Sequence, residues 1–203
     1  MYIDLSQWDP ANIYHLMTQT VVPRPIAWVL TESQEDNFNL APFSYFTPVS
    51  SNPPLLMISI GKKPNGDIKD TAVNVKKTRK LVIHIANGSL AKSVTRTAAT
   101  LEHGESEVTA NDIELEEFEG FSLPRVSNCP VAFGCSLYEI QEIGATPQTL
   151  LIAKVEKVYL ASYIAEQHGE GLKVDARKLN PLSRLGGGEY ATLDKVFSFQ
   201  RPK

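Results

Sequence analysis

Three lysines, Lys62, Lys63 and Lys69, crowd with Asn65 and Gly66 into the segment before Asp70 and Thr71, where a helical pattern begins. The first turn of a helix carries unpaired N–H groups and a positive partial charge. Lysines in the leading loop, with the Thr71 hydroxyl, can therefore hold a phosphate group there. Asp70 is the complication, because its carboxylate can cap the same helix and repel an anion. A second group, Asn39-Leu40-Ala41-Pro42-Phe43-Ser44-Tyr45-Phe46-Thr47-Pro48, mixes apolar, aromatic and hydroxyl residues around two prolines. Proline lacks an amide donor, so the backbone beside it is irregular and its polar groups are open to a ligand. A flat heteroaromatic ring needs such a wall, apolar against its face and hydrogen-bonding at its edge. The same residues serve equally well as a bulged strand end that fills the core.

Other chemistries lack their residues. No G-x-S-x-G, H-E-x-x-H or paired C-x-x-C occurs, and no G-x-G-x-x-G stands at a strand-to-helix junction, which removes the usual support for hydrolase, zinc and dinucleotide-domain readings. Gly61 and Gly66 have the separation of a phosphate-binding loop, but Asp67 and Ile68 follow where lysine and a hydroxyl residue are required. His15, His84, His103 and His168 are scattered, so surface or packing roles are expected and no metal site. Cys129 and Cys135 fall in one predicted strand, where six residues span roughly 20 Å. They cannot bridge, and reduced, partly buried thiols are expected. Asn87-Gly88-Ser89 matches a glycosylation sequon, and a chance match is the expectation, because Met1 to Asp9 lacks the basic-then-apolar order of a secretory signal.

The 203 residues, 42% of them hydrophobic, are enough for one packed domain spanning 1–203. Twenty basic against 23 acidic residues leave a net charge of −3, which supplies no field for a polyanion and argues against nucleic acid. No apolar run reaches the roughly 20 residues that cross a bilayer. A cytoplasmic chain without a membrane partner is expected.

The elements that must position the two groups are mainly strands. Asp9-Pro10 reads as a helix cap followed by proline at the first helical position, with Ile13, Leu16 and Met17 at helical spacing. Residues 25–31 and 37–44 read as strands joined by a polar hairpin loop, 32–36, and residues 55–60 as a strand whose pairing Pro53 and Pro54 restrict. A helix opening at Lys69-Asp70-Thr71 turns Ala72, Val75 and Val73 inward, with Lys76, Lys77 and Arg79 near its C-terminal end. A strand over 81–86, a helix over 90–100 and two long paired strands, 131–143 and 149–161, complete the pattern of a barrel with flanking helices. Residues 102–119 hold eight acidic residues and no lysine or arginine; a solvated excursion is the expectation, with a docking surface for a basic partner as the alternative. Gly186-Gly187-Gly188 marks a turn.

Four motifs in order carry a resemblance: Arg24-Pro25-Ile26-Ala27, then Asn39 to Phe46, then Asn52-Pro53-Pro54-Leu55, then Lys69-Asp70-Thr71 with Asn74. They resemble the flavin reductase domain family, the FMN-binding split barrels, over about residues 21–161. Pro181-Leu182-Ser183-Arg184-Leu185-Gly186-Gly187 in the extension 162–203 resembles the tail of its flavoredoxin-like branch. The resemblance implies a six-stranded Greek-key split barrel that dimerises and binds FMN beside the subunit interface. The phosphate would lie near Lys69, Asp70 and Thr71, and the ring along Ala41, Pro42, Phe43, Ser44, Tyr45, Phe46 and Thr47. Ser59 and Asn87 are further candidates, and Arg24 and Arg184 meet either the phosphate, the ring carbonyls or a surface acid. Where the family often has asparagine, this chain has His84, which can still donate or accept a hydrogen bond at the flavin edge.

The implied activity is an oxidoreductase in which NAD(P)H reduces bound flavin, which then reduces a small-molecule or protein acceptor. The cofactor carries such chemistry, so no protein acid, base or nucleophile is required. The alternative is a flavoredoxin-like electron-transfer protein reduced by a protein partner, without NAD(P)H activity. A flavin-binding or structural module without turnover is a third.

Overall fold

The computed structural model describes residues 1–34, 36–102, 104–200 and 202; Glu35, in the expected hairpin loop, and His103 lie outside the described residues. Helix α1 (Pro10–Thr20) is capped by Asp9, whose carboxylate accepts from the Asn12 amide at 3.0 Å, and Pro10 occupies the first turn, where its missing N–H costs nothing. Then come β1 (Ala27–Gln34), β2 (Asn37–Phe43), β3 (Phe46–Ser51), β4 (Pro54–Ile60), α2 (Asp70–Thr78) and β5 (Lys80–Ile85). Two short helices, α3 (Ala91–Arg96) and α4 (Glu107–Ala110), precede the long hairpin of β6 (Val131–Ile143) and β7 (Gln148–Leu160).

These seven strands form one antiparallel sheet in the order β2-β1-β5-β6-β7-β4-β3. One strand more than the expected six is present, because Phe46–Ser51 pairs along β4. The edge strands β2 and β3 are consecutive in the chain, separated only by Ser44 and Tyr45. Three chain steps reach roughly 10 Å, whereas the edges of a flat seven-stranded sheet lie about 29 Å apart. The sheet must therefore curl until its edges approach, and the Ser59 amide donates to the Tyr45 carbonyl at 2.8 Å, which carries the β3–β4 ladder one residue into the link. Register shifts in β7 and β3 add local twist in the same sense. The result is a mainly β, split-barrel fold, and the short Ser44–Tyr45 link lies at its split.

Both faces of β1 are buried. Ala27 and Val29 point into one apolar cluster with Phe43, Ile58, Leu81, Ile83 and Leu151. Ile26, Trp28 and Leu30 point into another with Leu40, Val82, Val94 and Leu123, where the Trp28 indole donates to the Thr97 hydroxyl at 2.9 Å. Helix α2 closes the first cluster with Ala72 and Val75; Val73, expected inward, is exposed, because the buried stripe at i, i+3 and i+4 spacing runs through Thr71, Ala72, Asn74 and Val75 and leaves it on the other side. Helix α3 is shorter than expected from the 90–100 pattern, and Thr97 ends it by bonding both Val94 and Trp28.

Beyond residue 161 a hairpin (Ala165–His168 with Gly171–Val174) leads to a segment that returns to the barrel. Ser183–Arg184 pairs with Arg24–Pro25, and the buried Leu182 donates its amide to the Ala86 carbonyl at 2.8 Å. Cys129 sits before β6 rather than inside it, and both thiols are free and buried. No helix among the described residues is long and apolar enough to cross a membrane.

Candidate functional site

The lysine loop is a tight hairpin: the Lys63 amide donates to the Asp67 carbonyl and the Gly66 amide to the Lys63 carbonyl. Gly66 adopts φ +90°, a conformation that side-chain-bearing residues reach only with strain. This hairpin brings Lys63 to Asp70, with an ion pair of 2.7 Å. Asp70 is thereby drawn to a lysine at the first helical position, and the cap of α2 is Lys69, which makes no side-chain cap bond. Thr71 is buried, and its hydroxyl accepts from the Asn39 amide at 3.0 Å, tying the start of α2 to β2. Burial first, and the neighbouring Lys63 charge second, push the Lys69 ammonium below the ordinary lysine range. Lys69 makes no ion pair among the described residues. A half-buried cation without a counterion, at a helix start, suits an anionic ligand group.

The wall begins where β2 ends. A cleft of about 590 Å³ is lined by Phe43, Ser44 and Tyr45 on one side and by Ile13, Tyr14 and Met17 of α1 on another, and Lys69 also lines it. A smaller cavity of about 80 Å³ continues from Pro42 and Lys69 past Ala41 to Asp70, Thr71 and Glu107. A third, of about 170 Å³, reaches from Pro42 and Ser44 to Arg184 and Tyr190. Pro42 borders all three. The proline-rich wall and the lysine-flanked helix start thus face shared space, and the size suits a cofactor-sized ligand. Burial first, then the Tyr14 phenol, raise the Tyr45 phenol above its usual range, with Arg24 opposing.

Ten of the residues singled out in the sequence border this space: Ala41, Pro42, Phe43, Ser44 and Tyr45 from the wall, Lys69, Asp70 and Thr71 from the helix start, and Ser59 and Arg184 beside them. Arg184 lies over the Tyr190 ring, 4.6 Å from its centroid, and donates to the Gly187 carbonyl. Five others do not line it. Arg24 is 6% exposed, and its guanidinium donates to the carbonyls of Thr18, Val21 and Leu185 and to the Ser44 hydroxyl. It is a brace between α1, the wall and the C-terminal segment, so its expected contact with a phosphate or ring is corrected. His84 is wholly buried; Nδ1 donates to the Trp28 carbonyl at 3.0 Å, which leaves Nε2 to accept from the Val126 amide at 3.0 Å. Both nitrogens are committed within the core, which corrects the expected flavin-edge role. Phe46 packs into the barrel cluster, Thr47 is exposed and bonds the Pro48 carbonyl, and Asn87 bridges to Pro181 and accepts from the Ser89 hydroxyl.

The sequence reading missed two contributors. The apolar positions of α1 show only helical spacing in the sequence; in the fold Thr18 is the one buried residue of that helix and Tyr14 is 57% exposed. The remaining apolar side chains have a cleft for a neighbour, a use that amphipathic spacing alone does not distinguish from packing. Glu107 lies in the acidic stretch read as solvated. It is buried, and with Ser106 it satisfies the open edge of β2: Glu107 Oε2 accepts from the Leu40 amide at 3.1 Å, and the Ser106 hydroxyl donates to the Phe38 carbonyl at 2.5 Å. The Ser-Glu pair at the start of a helical turn is the only local signal for that role.

Residues 17–180 match the flavin reductase like domain. The chain is 35% identical to the uncharacterized protein YwrF of Bacillus subtilis across the full length of both, and 31% identical to an uncharacterized protein of Aquifex aeolicus over 92% of each. Among solved structures, nitrilotriacetate monooxygenase component B from Bacillus cereus is similar at a TM-score of 0.90 and 32% identity, with 98% of each chain covered. The 2-nitrobenzoate 2-nitroreductase NbaA of Pseudomonas fluorescens is similar at 0.89 and 25% identity, covering 100% of this chain and 96% of that one. A curled sheet whose split carries a proline-rich wall next to a lysine-capped helix, together with matches of this extent, leads to one assignment: the chain belongs to the flavin reductase like domain family.

Proposed function

We propose that this chain is an FMN-dependent oxidoreductase that takes electrons from NAD(P)H and delivers them to an acceptor. The observation that carries the reading is that Lys69 and the Phe43 wall border one cleft, so the two ends needed for a phosphorylated flat ring are adjacent. The residues present fit the group: a half-buried ammonium with no ion pair among the described residues for the phosphate, the Pro42 and Phe43 surfaces for a ring face, and Ser44 and Ser59 hydroxyls for its polar edge. Bound there, a flavin would supply hydride acceptance from a nicotinamide and electron transfer onward.

The work left to this chain is binding, orientation and exclusion of water. Lys69 and the start of α2 hold the anionic end. Phe43 and Tyr45 limit how a ring lies, and Ile13, Tyr14 and Met17 cover the approach from solvent. Arg24 keeps this cover attached by holding the Thr18 and Val21 carbonyls at the end of α1. The names of the similar proteins, a monooxygenase component and a nitroreductase, support an oxidoreductase. The proposal extends to a homodimer, since Tyr14, Met17 and Tyr45 remain exposed around the cleft and a second copy would cover them. It also places the protein in the cytoplasm, where two buried free thiols stay reduced.

A second reading, electron exchange with a basic protein partner, is favoured by one observation: Glu102, Glu105, Asp112, Glu114, Glu116, Glu117 and Glu119 are all exposed. The visible spectrum of the FMN-loaded protein under anaerobic conditions separates the two. Bleaching of the flavin band on adding NADH or NADPH is the expected result. A band unmoved by either nucleotide, but bleached by a reduced basic redox protein, supports the second reading.

A further inference from the structure

Arg184 and Arg24 are strand partners, where Ser183–Arg184 pairs with Arg24–Pro25. The Arg24 guanidinium is spent on three carbonyls and the Ser44 hydroxyl. The Arg184 guanidinium gives one hydrogen bond, to the Gly187 carbonyl, and makes no ion pair among the described residues; Glu189, in the same turn, is exposed. The position of Arg184 is still fixed. It lies over the Tyr190 ring, 4.6 Å from the centroid, and the Tyr190 and Thr95 hydroxyls are hydrogen-bonded at 3.0 Å, which ties that ring to α3. Arg184 and Tyr190 border the 170 Å³ cavity, and Ile26, Phe43, Val94 and Ala98 supply its apolar lining. No acidic side chain among the described residues lines it. An apolar cavity of about 150 Å³ holds one benzene ring. A guanidinium with free N–H groups is the side chain best matched to a carboxylate, which it grips with two parallel bonds.

We propose that this cavity binds a small aromatic carboxylate, with the carboxylate on Arg184 and the ring against Ile26, Val94 and Phe43. The site is separate from the phosphate end of the cleft, since Lys69 lines the other two cavities and not this one. Pro42, Phe43 and Ser44 border both it and the larger cleft. A bound acid therefore lies beside the flavin ring, and its carboxylate is the handle by which the acceptor is selected; this second point rests on the flavin reading given above, whereas the site itself does not.

The test is isothermal titration calorimetry of the full chain, with and without FMN, against benzoate, benzamide and acetate. Benzamide keeps the ring and the shape without the charge, and acetate keeps the charge without the ring. Benzoate is expected to bind at least about tenfold more tightly than either, the scale of a charge-assisted hydrogen-bonded pair. Arg184→Gln is expected to bring benzoate down to the affinity of benzamide. Equal wild-type affinities for benzoate and acetate would mean an adventitious ion only, and equal affinities for benzoate and benzamide would mean that Arg184 is not the anchor. Either result overturns the proposal without a variant, and so does an Arg184→Gln protein that still prefers benzoate. Benzoate that competes with FMN would make the cavity part of the flavin site and overturns it as well. Failure of the wild type to bind FMN removes the flavin reading, while the benzoate titration still decides this site.

Discussion

The Lys69 ammonium lies 5.4 Å from the centroid of the Phe43 ring. That contact joins the start of α2 to the end of β2 and makes one cleft of two motifs that are 26 residues apart in the chain. It also gives a half-buried cation an aromatic face in place of a counterion, so the charge stays available to a ligand.

Reversing that charge is expected to weaken FMN binding. Lys69→Glu puts a carboxylate beside Glu107 and Asp70 in the same cavity and raises the dissociation constant by at least about tenfold, or ~1.4 kcal/mol. Quenching of FMN fluorescence measures it, and unaltered affinity counts against the placement of the phosphate.

Arg24 predicts a stability effect instead of a binding effect. Arg24→Met removes the donors to three buried or partly buried carbonyls, at a cost of about 3 kcal/mol. For a chain of this size the expected fall in Tm is about 6–12 °C. Differential scanning calorimetry reads it; an unchanged Tm with lost FMN binding would return Arg24 to the ligand site.

His84 predicts acid sensitivity. Burial, with Arg125 adding to it against the Trp28 bond, lowers its pKa from 6.5 to about 4. The unfolded chain therefore takes up a proton at pH values where the folded chain does not. The stability due to neutral His84 is fully present above pH 6.5 and is lost as the pH falls through about 4, by up to ~3 kcal/mol. Urea unfolding from pH 7.5 to 4, compared between the wild type and His84→Asn, isolates this loss from that of other groups. Parallel profiles would contradict it.

The cysteines are expected to be inert in the native state. Burial pushes the Cys129 thiol up to about 12 and raises Cys135 as well, so almost no thiolate is present at neutral pH. A colorimetric disulfide reagent should label neither thiol in the folded protein within minutes and both in urea. Rapid native labelling would show that one of them is accessible.

How much of this was legible in the sequence depends on how local each cause is. The long strands β6 and β7 and the start of α1 were readable because residue alternation and an Asp-Pro cap act over a few positions. The wall and the lysine-flanked helix start were readable as chemistry, but their adjacency depends on the curl of the sheet, which brings β2 and β3 together through Ser44 and Tyr45. Arg24 and His84 were expected at the ligand only through the family resemblance; their burial depends on carbonyls and amides of distant segments, Leu185 and Val126 among them. Glu107 read as solvated because its neighbours are, and only the open edge of β2 explains why it turns inward.

The most direct test is a crystal structure of the protein soaked with FMN. The account predicts the phosphate at Lys69 and the start of α2, with the ring against Pro42, Phe43 and Ser44. An FMN seated elsewhere, or one whose phosphate points away from Lys69, would contradict it.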